Sequence, residues 1–226
     1  MIAGGSKNIK TDEIGIVIQG PTAYVDPVVQ CYSRANHVLW STWEDEPEAN
    51  FRVIKDSGMK LNLTPKPAFT GYWNINLQCL STYTGILELA KDPRLKYFVK
   101  IRSDIVVDNI ENFIEEVKIA LAETPIAFLG YIEDEGGYLL DYIVAGSLSA
   151  MLTFWTPEIK SDSGFPAPEI WLQNRAFPLL REGNAIDAFR NYFPYIKLKG
   201  YTLYFYKKNR SINEIAASDG RYKVKE

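Results

Sequence analysis

The first clear hydrophobic run, Ile14-Gly15-Ile16-Val17-Ile18, is short, rich in β-branched residues and followed by Gln19 and the turn pair Gly20-Pro21. Such a run predicts a strand buried on both faces, because it is too short for a helix and shows no polar alternation. A helix is expected over residues 27–34. Residues 37–43 read as a second strand that runs into the acidic loop Glu44-Asp45-Glu46, and residues 51–54 read as a third. Pro65 and Pro67 keep the next stretch extended. From Asn74 the period changes: Leu77, Leu80, Thr84 and Leu87 recur at helical spacing, predicting an amphipathic helix to about residue 90. Residues 97–104 return to strand. Asp108, with Glu111 three residues on, resembles a capping box that opens a helix to about residue 123, and residues 126–130 form another short strand.

Strands alternating with helices predict an α/β fold, here a mixed, mostly parallel sheet flanked by helices. One domain is expected over residues 13–218, with a loose leader at 1–12 and a polar, basic, flexible tail at 219–226. Residues 201–206 read as strand added near an edge of the sheet, approached through 190–194.

Composition narrows the class. With 226 residues, 46% hydrophobic and 13% aromatic, the chain can bury a substantial core. A formal charge of -3 gives no general attraction to nucleic acid. The two cysteines, Cys31 and Cys79, are too few for a disulfide framework and read as reduced, packed thiols. The single histidine, His37, removes multi-histidine zinc sites and reads as a surface or packing residue. No run of about 18 apolar residues predicts a transmembrane helix, and the N-terminus lacks the apolar run of a signal peptide. A soluble, cytoplasmic protein is expected, or else a soluble piece of something larger.

Chemistry concentrates at Lys100-Ile101-Arg102-Ser103-Asp104. Charges inside a central strand are costly unless paired or functional. Asp104 falls at the strand's carboxyl end, where open α/β sheets place ligands. A carboxylate there can hold Mg²⁺ or Mn²⁺ against a diphosphate, or it can form a buried ion pair with Arg102 that holds a loop. Asn74, Asn76 and Gln78 cluster at a helix start, where amides suit sugar hydroxyls or diphosphate oxygens, and where Asn74 is equally an N-cap. The run Glu133-Asp134-Glu135 reads as a solvated loop.

Three blocks together resemble the WavE lipopolysaccharide-synthesis family: Ile16-Val17-Ile18-Gln19-Gly20-Pro21, Leu39-Trp40-Ser41-Thr42-Trp43-Glu44, and residues 95–104 ending in Arg102-Ser103-Asp104. The match covers roughly the first half of the chain. That family resembles the GT-A glycosyltransferases, in which an Asp-X-Asp motif holds the donor's metal. Here Arg102 replaces the first acid, so the resemblance leaves Asp104 as the metal ligand, with Arg102 and Ser103 on the donor. It further implies that Gln19, Gly20 and Pro21 seat the nucleotide, with Gly20 allowing close approach and Pro21 fixing the turn. Thr42 or Glu44 would contact the nucleotide beside them, and Trp43 would stack on the base or pack in the core. Asp141-Tyr142 echoes an Asp-aromatic pair of the family, and Glu169 resembles the acidic segment before a helix in GT-A enzymes. One of these two acids would deprotonate the acceptor, or Glu169 would simply begin a helix.

The function expected is transfer of a sugar from a nucleoside-diphosphate sugar, a UDP-sugar foremost, to a glycan hydroxyl, with Mn²⁺ or Mg²⁺ at the leaving group. The chain would work alone or as part of a larger multi-domain glycan-synthesis enzyme, and a catalytically silent nucleotide- or carbohydrate-binding domain of the same fold is the alternative. A nucleotidyltransferase ranks third, because Gln19-Gly20-Pro21-Thr22 is not a Gly-rich phosphate loop.

Overall fold

The computed structural model describes residues 8–133, 137–158, 168–177, 185–191 and 193–225. The chain opens with β1 (Ile14–Gln19), α1 (Val25–Tyr32), β2 (Val38–Trp43), α2 (Glu48–Asp56) and β3 (Lys60–Thr64). It continues through α3 (Ile75–Leu89), β4 (Tyr97–Arg102), β5 (Ile105–Val107), α4 (Ile110–Glu123), β6 (Ile126–Phe128) and β7 (Gly130–Ile132). Then come β8 (Tyr138–Leu139), β9 (Ile143–Ser147), α5 (Leu148–Trp155), α6 (Pro168–Ala176) and α7 (Ala185–Asn191). The last elements are β10 (Leu203–Phe205), β11 (Arg210–Ser211), α8 (Ile212–Ser218) and β12 (Tyr222–Val224).

Six strands form the main sheet in the order β3-β2-β1-β4-β9-β6. The first four are parallel, and β9 runs antiparallel to both β4 and β6. This is the expected mixed, mostly parallel sheet flanked by helices. β1 is central, paired with β2 on one side and β4 on the other, which is why every one of its residues is buried. On one face Ile16, Ile18, Trp40, Val99 and Ile101 pack with Val28 and Tyr32 of α1 and Phe113 and Val117 of α4. On the other Val17, Leu39 and Phe98 pack with Cys79, Ile86 and Leu89 of α3 and with Phe154 and Trp155 of α5. Each fully buried aliphatic side chain in these layers contributes roughly 1.5–3 kcal/mol. α3 lies unusually close to the sheet at Gly85, where a Cβ would stand 2.8 Å from Val17 and 2.9 Å from Ser41.

Several expectations are corrected. Residues 51–54 are not a strand but the middle of α2. Phe51 and Ile54 are buried three apart, and Arg52 reaches Glu48 one turn back. The third strand is β3, a mostly polar edge strand whose pattern carries little hydrophobic signal. The long helix sits where expected, but its buried stripe is Ile75, Cys79, Thr82, Ile86 and Leu89, and Leu87 is 43% exposed. Asn109, not Asp108, caps α4 by accepting from the Asn112 amide, while Asp108 accepts from the amide of Thr202.

Residues 126–130 divide between β6 in the main sheet and β7 in a small sheet with β8 and β12. The late strand β10 does not extend the main sheet; it joins β5 and β11 in a sheet of its own. The expected leader has Ile9 buried and a 3-10 turn at Thr11–Glu13, with residues 1–7 outside the described residues. In place of a loose tail, Tyr222–Val224 pair antiparallel with β7. No described helix is long and apolar enough to cross a membrane.

Candidate functional site

The parallel strands deliver the candidate residues to one edge of the sheet. At the end of β1 the backbone turns through Gly20, whose φ of 127° is a conformation that L side chains rarely adopt. A Cβ on Gly20 would also lie 2.7 Å from Ser103 Oγ, so glycine is required twice over. Ser103 clasps this turn. Its amide donates to the Gln19 carbonyl at 2.8 Å and its hydroxyl to the Pro21 carbonyl at 2.8 Å. From β2, Trp40 Nε1 donates to the Gly20 carbonyl at 3.0 Å. Thr22 donates through its amide and its hydroxyl to Glu46, each at 2.8 Å, and Asn50 Nδ2 donates to the Thr22 hydroxyl at 2.8 Å.

The turn is therefore a rigid floor, and Gln19, Gly20, Pro21 and Ser103 do converge. Thr42 and Trp43 are buried in β2, and Thr42 Oγ1 has no partner among the described residues. Glu44 is exposed, and its acidic neighbour Glu46 is the residue that reaches the turn.

Arg102, at the end of β4, makes the ion pair that was one of the two readings of this segment. Its Nε and NH2 donate to the two carboxylate oxygens of Asp104 at 3.1 and 2.8 Å. Its guanidinium stands 5.1 Å from the ring centre of Tyr142 and 5.0 Å from that of Phe205. Asp104 is 7% exposed. A metal at Asp104 would have to displace a bidentate guanidinium, and among the described residues no group of three His, Cys, Asp or Glu side chains could hold an ion. These residues, as arranged, do not fit the expected Mn²⁺ or Mg²⁺.

Lys100, two residues before Arg102 in β4 and so on the same face, opens a second cluster of polar side chains. Lys100 is fully buried, and its ammonium donates to the Asp141 carbonyl at 2.7 Å above the ring of Trp155. Burial lowers its pKa to about 8, against the opposing pull of Asp141. The Asp141 carboxylate, 4% exposed, accepts from Gln78 Nε2 on the second turn of α3. Glu169, in the first turn of α6, completes the cluster. Burial raises its carboxyl to about pKa 7, and the negative charge of Asp141 adds to the effect. Glu169 Oε2 is buried without a hydrogen-bond partner among the described residues. Such an oxygen calls for an explanation, since buried polar atoms are nearly always paired.

Gln173, absent from the sequence reading, holds α6 in place. One turn along from Glu169 and 2% exposed, it accepts from the Leu139 amide and donates to the Gly137 carbonyl, both at 3.0 Å. α6 is thereby tied to β8, which leads straight to Asp141. The amides of the α3 start divide in role. Asn74 is exposed and makes no capping bond, Asn76 is buried and donates to the Phe69 carbonyl, and Gln78 belongs to the carboxylate cluster. Of the residues around Glu169, positions 166 and 167 lie outside the described residues, as do 134 and 135 of the acidic loop.

No family model matches the chain, and no curated protein does, so the WavE resemblance rests on its three blocks alone. Among solved structures, the chain is similar to a 4-diphosphocytidyl-2C-methyl-D-erythritol synthase from Anaerococcus prevotii, at 12% identity over 71% of this chain and 81% of that one, with a TM-score of 0.48. It is similar to a glycosyltransferase involved in glycosylation of the major capsid of PBCV-1, at 15% identity over 74% and 77%, with a TM-score of 0.43. A cytidylyltransferase from Leptospira borgpetersenii shares 10% identity over 81% and 74%, with a TM-score of 0.41. At these identities and scores the likeness bears on no reaction or substrate.

Proposed function

We propose that the chain is a transferase that moves a sugar from a nucleoside-diphosphate sugar, a UDP-sugar foremost, to a glycan hydroxyl, with Glu169 as the base. The observation that supports this most is the buried, unpartnered oxygen of Glu169 beside Asp141, on a carboxyl raised to about pKa 7. A general base works best when its pKa lies near the operating pH. The acceptor O–H proton passes to Glu169, and the acceptor oxygen forms the new bond to the anomeric carbon. The bond from that carbon to the diphosphate breaks, and its electron pair leaves on the diphosphate oxygen. Burial, and after it the charge of Asp141 held by Gln78, keeps the proton affinity of Glu169 high. The donor lies along Gln19, Gly20 and Pro21, with the part-exposed Arg102 as the positive charge nearest the leaving group. No step runs through a metal.

A second reading, a binding domain of the same fold without catalysis, is favoured by one observation: both oxygens of Asp104 are taken by Arg102. Calorimetry against UDP-, GDP- and TDP-sugars, with and without Mn²⁺, tests the first step, and binding by none of them sinks both nucleotide readings. Release of free nucleoside diphosphate separates enzyme from binder. Glu169→Gln should retain donor binding and lose on the order of 10²-fold or more in release rate. The wild-type rate should rise with pH through about 7, as Glu169 loses its proton. A flat profile, or an unimpaired Glu169→Gln variant, removes Glu169 from the mechanism.

A further inference from the structure

Most large apolar side chains are buried, yet Phe69, Tyr72 and Trp73 stand 57%, 37% and 63% exposed within one short segment leading into α3. The Tyr72 and Trp73 rings are stacked, with centres 5.2 Å apart and planes 17° from parallel. This segment is fastened down. The Asn76 amide donates to the Thr70 carbonyl, Asn76 Nδ2 donates to the Phe69 carbonyl, and the Asn74 amide donates to the Gly71 carbonyl, each at 3.0 Å. Trp73 and Asn74 are held at φ of 49° and 64°, the left-handed region that non-glycine residues rarely occupy. Ordinary packing would put three aromatic rings inside. Here the backbone is held in an uncommon shape that keeps them outside, and clustered exposed apolar surface marks interaction sites.

Position says what the rings would meet. They follow β3, so they lie at the same edge of the sheet as the Gly20 turn and the end of β4. Along α3, Gln78, the residue that holds Asp141, is four positions after Asn74, a rise of roughly 6 Å. A nucleobase is separated from the reacting carbon by a ribose and two phosphates, too far to lie one helical turn from the acid pair. A sugar ring is not. Its C–H face suits an aromatic ring, and its hydroxyls suit the exposed amide of Asn74, next to Trp73 in the chain.

We infer that Phe69, Tyr72 and Trp73 form a stacking platform for a pyranose ring of the glycan acceptor, presenting its hydroxyl toward Glu169 and Asp141. The inference rests on the transferase reading, and the two fail in different measurements. Donor calorimetry tests the transferase. Saturation-transfer NMR with cellotriose, maltotriose and galactobiose as probes, and UDP as the base-bearing control, tests the platform.

Wild-type protein should transfer saturation to the C–H protons of at least one sugar. Trp73→Ala should weaken that signal at least tenfold, and Trp73→Tyr should largely restore it. Because Trp73 is mostly exposed, the melting temperature should move little. No transfer to any of the sugars, or equal transfer in wild type and Trp73→Ala, overturns the platform. Loss of the UDP base signal in Trp73→Ala with the sugar signals unchanged assigns the rings to the donor's base and overturns it as well.

Discussion

At the scale of single residues, charge burial sets the strongest expectations. Arg102 and Asp104 form a bidentate pair with little access to water, flanked by Tyr142 and Phe205. Asp104→Ala would leave the guanidinium without its counter-charge. Breaking a fully buried pair costs about 3–5 kcal/mol, and the 27% exposure of Arg102 brings the expected loss nearer 1–3 kcal/mol. Urea unfolding of the variant measures it, and an unchanged midpoint would show that the pair is not structural. Lys100 offers a pH signature. Its folded pKa, about 8, lies below the unfolded value near 10.5, so between those values the unfolded chain binds more protons and stability rises with pH. Relative to Lys100→Met, the wild type should gain stability across pH 8 to 10.5. Parallel stability curves for the two proteins would argue against a depressed Lys100. Glu169 has the opposite sign: its raised pKa favours folding below about 4.5, and that contribution is lost as pH rises through about 7.

At the scale of elements, α6 matters most, because it carries Glu169 on the same face as Gln173. The Gln173 side chain satisfies two backbone groups of the 137–139 segment. Gln173→Leu keeps the bulk and strands both groups, so a loss of about 2–6 kcal/mol is expected from unfolding curves, at about 1–3 kcal/mol per buried unpaired group. If the helix also drifts from β8, Glu169 separates from Asp141 and the pH limb near 7 should move toward lower pH. A stability loss with an unmoved limb would make Gln173 structural alone. α3 teaches a different lesson. Its span was legible from helical spacing, yet the face it buries was not, because Gly85, Ser81 and Thr82 line the contact and carry almost no hydrophobic signal.

At the scale of the whole molecule, the chain's end supports the candidate site. β12 pairs with β7 and brings Tyr222 beside Tyr142, the ring that covers Arg102. Removing residues from 219 onward should lower the melting temperature by several degrees and expose Arg102 to solvent, which calorimetry and salt-dependent stability would register. An unchanged melting temperature would make the terminal strand an ornament of the surface.

What the sequence by itself determined is three of the four parallel strands, β1, β2 and β4, and the residues at their ends. β1 is buried on both faces and reads as an apolar run up to Gln19, while β2 and β4 are mostly apolar but carry Ser41, Thr42 and Lys100 inside, and the residues just after these parallel strands lie at the carboxyl edge. That reasoning placed Gln19, Gly20 and Ser103 at strand ends, and the structure supplied their contacts. Only the tertiary structure shows the Arg102 guanidinium turned onto Asp104, because a metal ligand and an ion-pair partner need the same residues and differ in where that guanidinium points. It alone joined Lys100, Gln78 and Glu169 to Asp141, and Phe205 to Arg102. Those partners are tens of residues or more than a hundred apart, and nothing in local spacing records a contact made by folding the chain over a sheet.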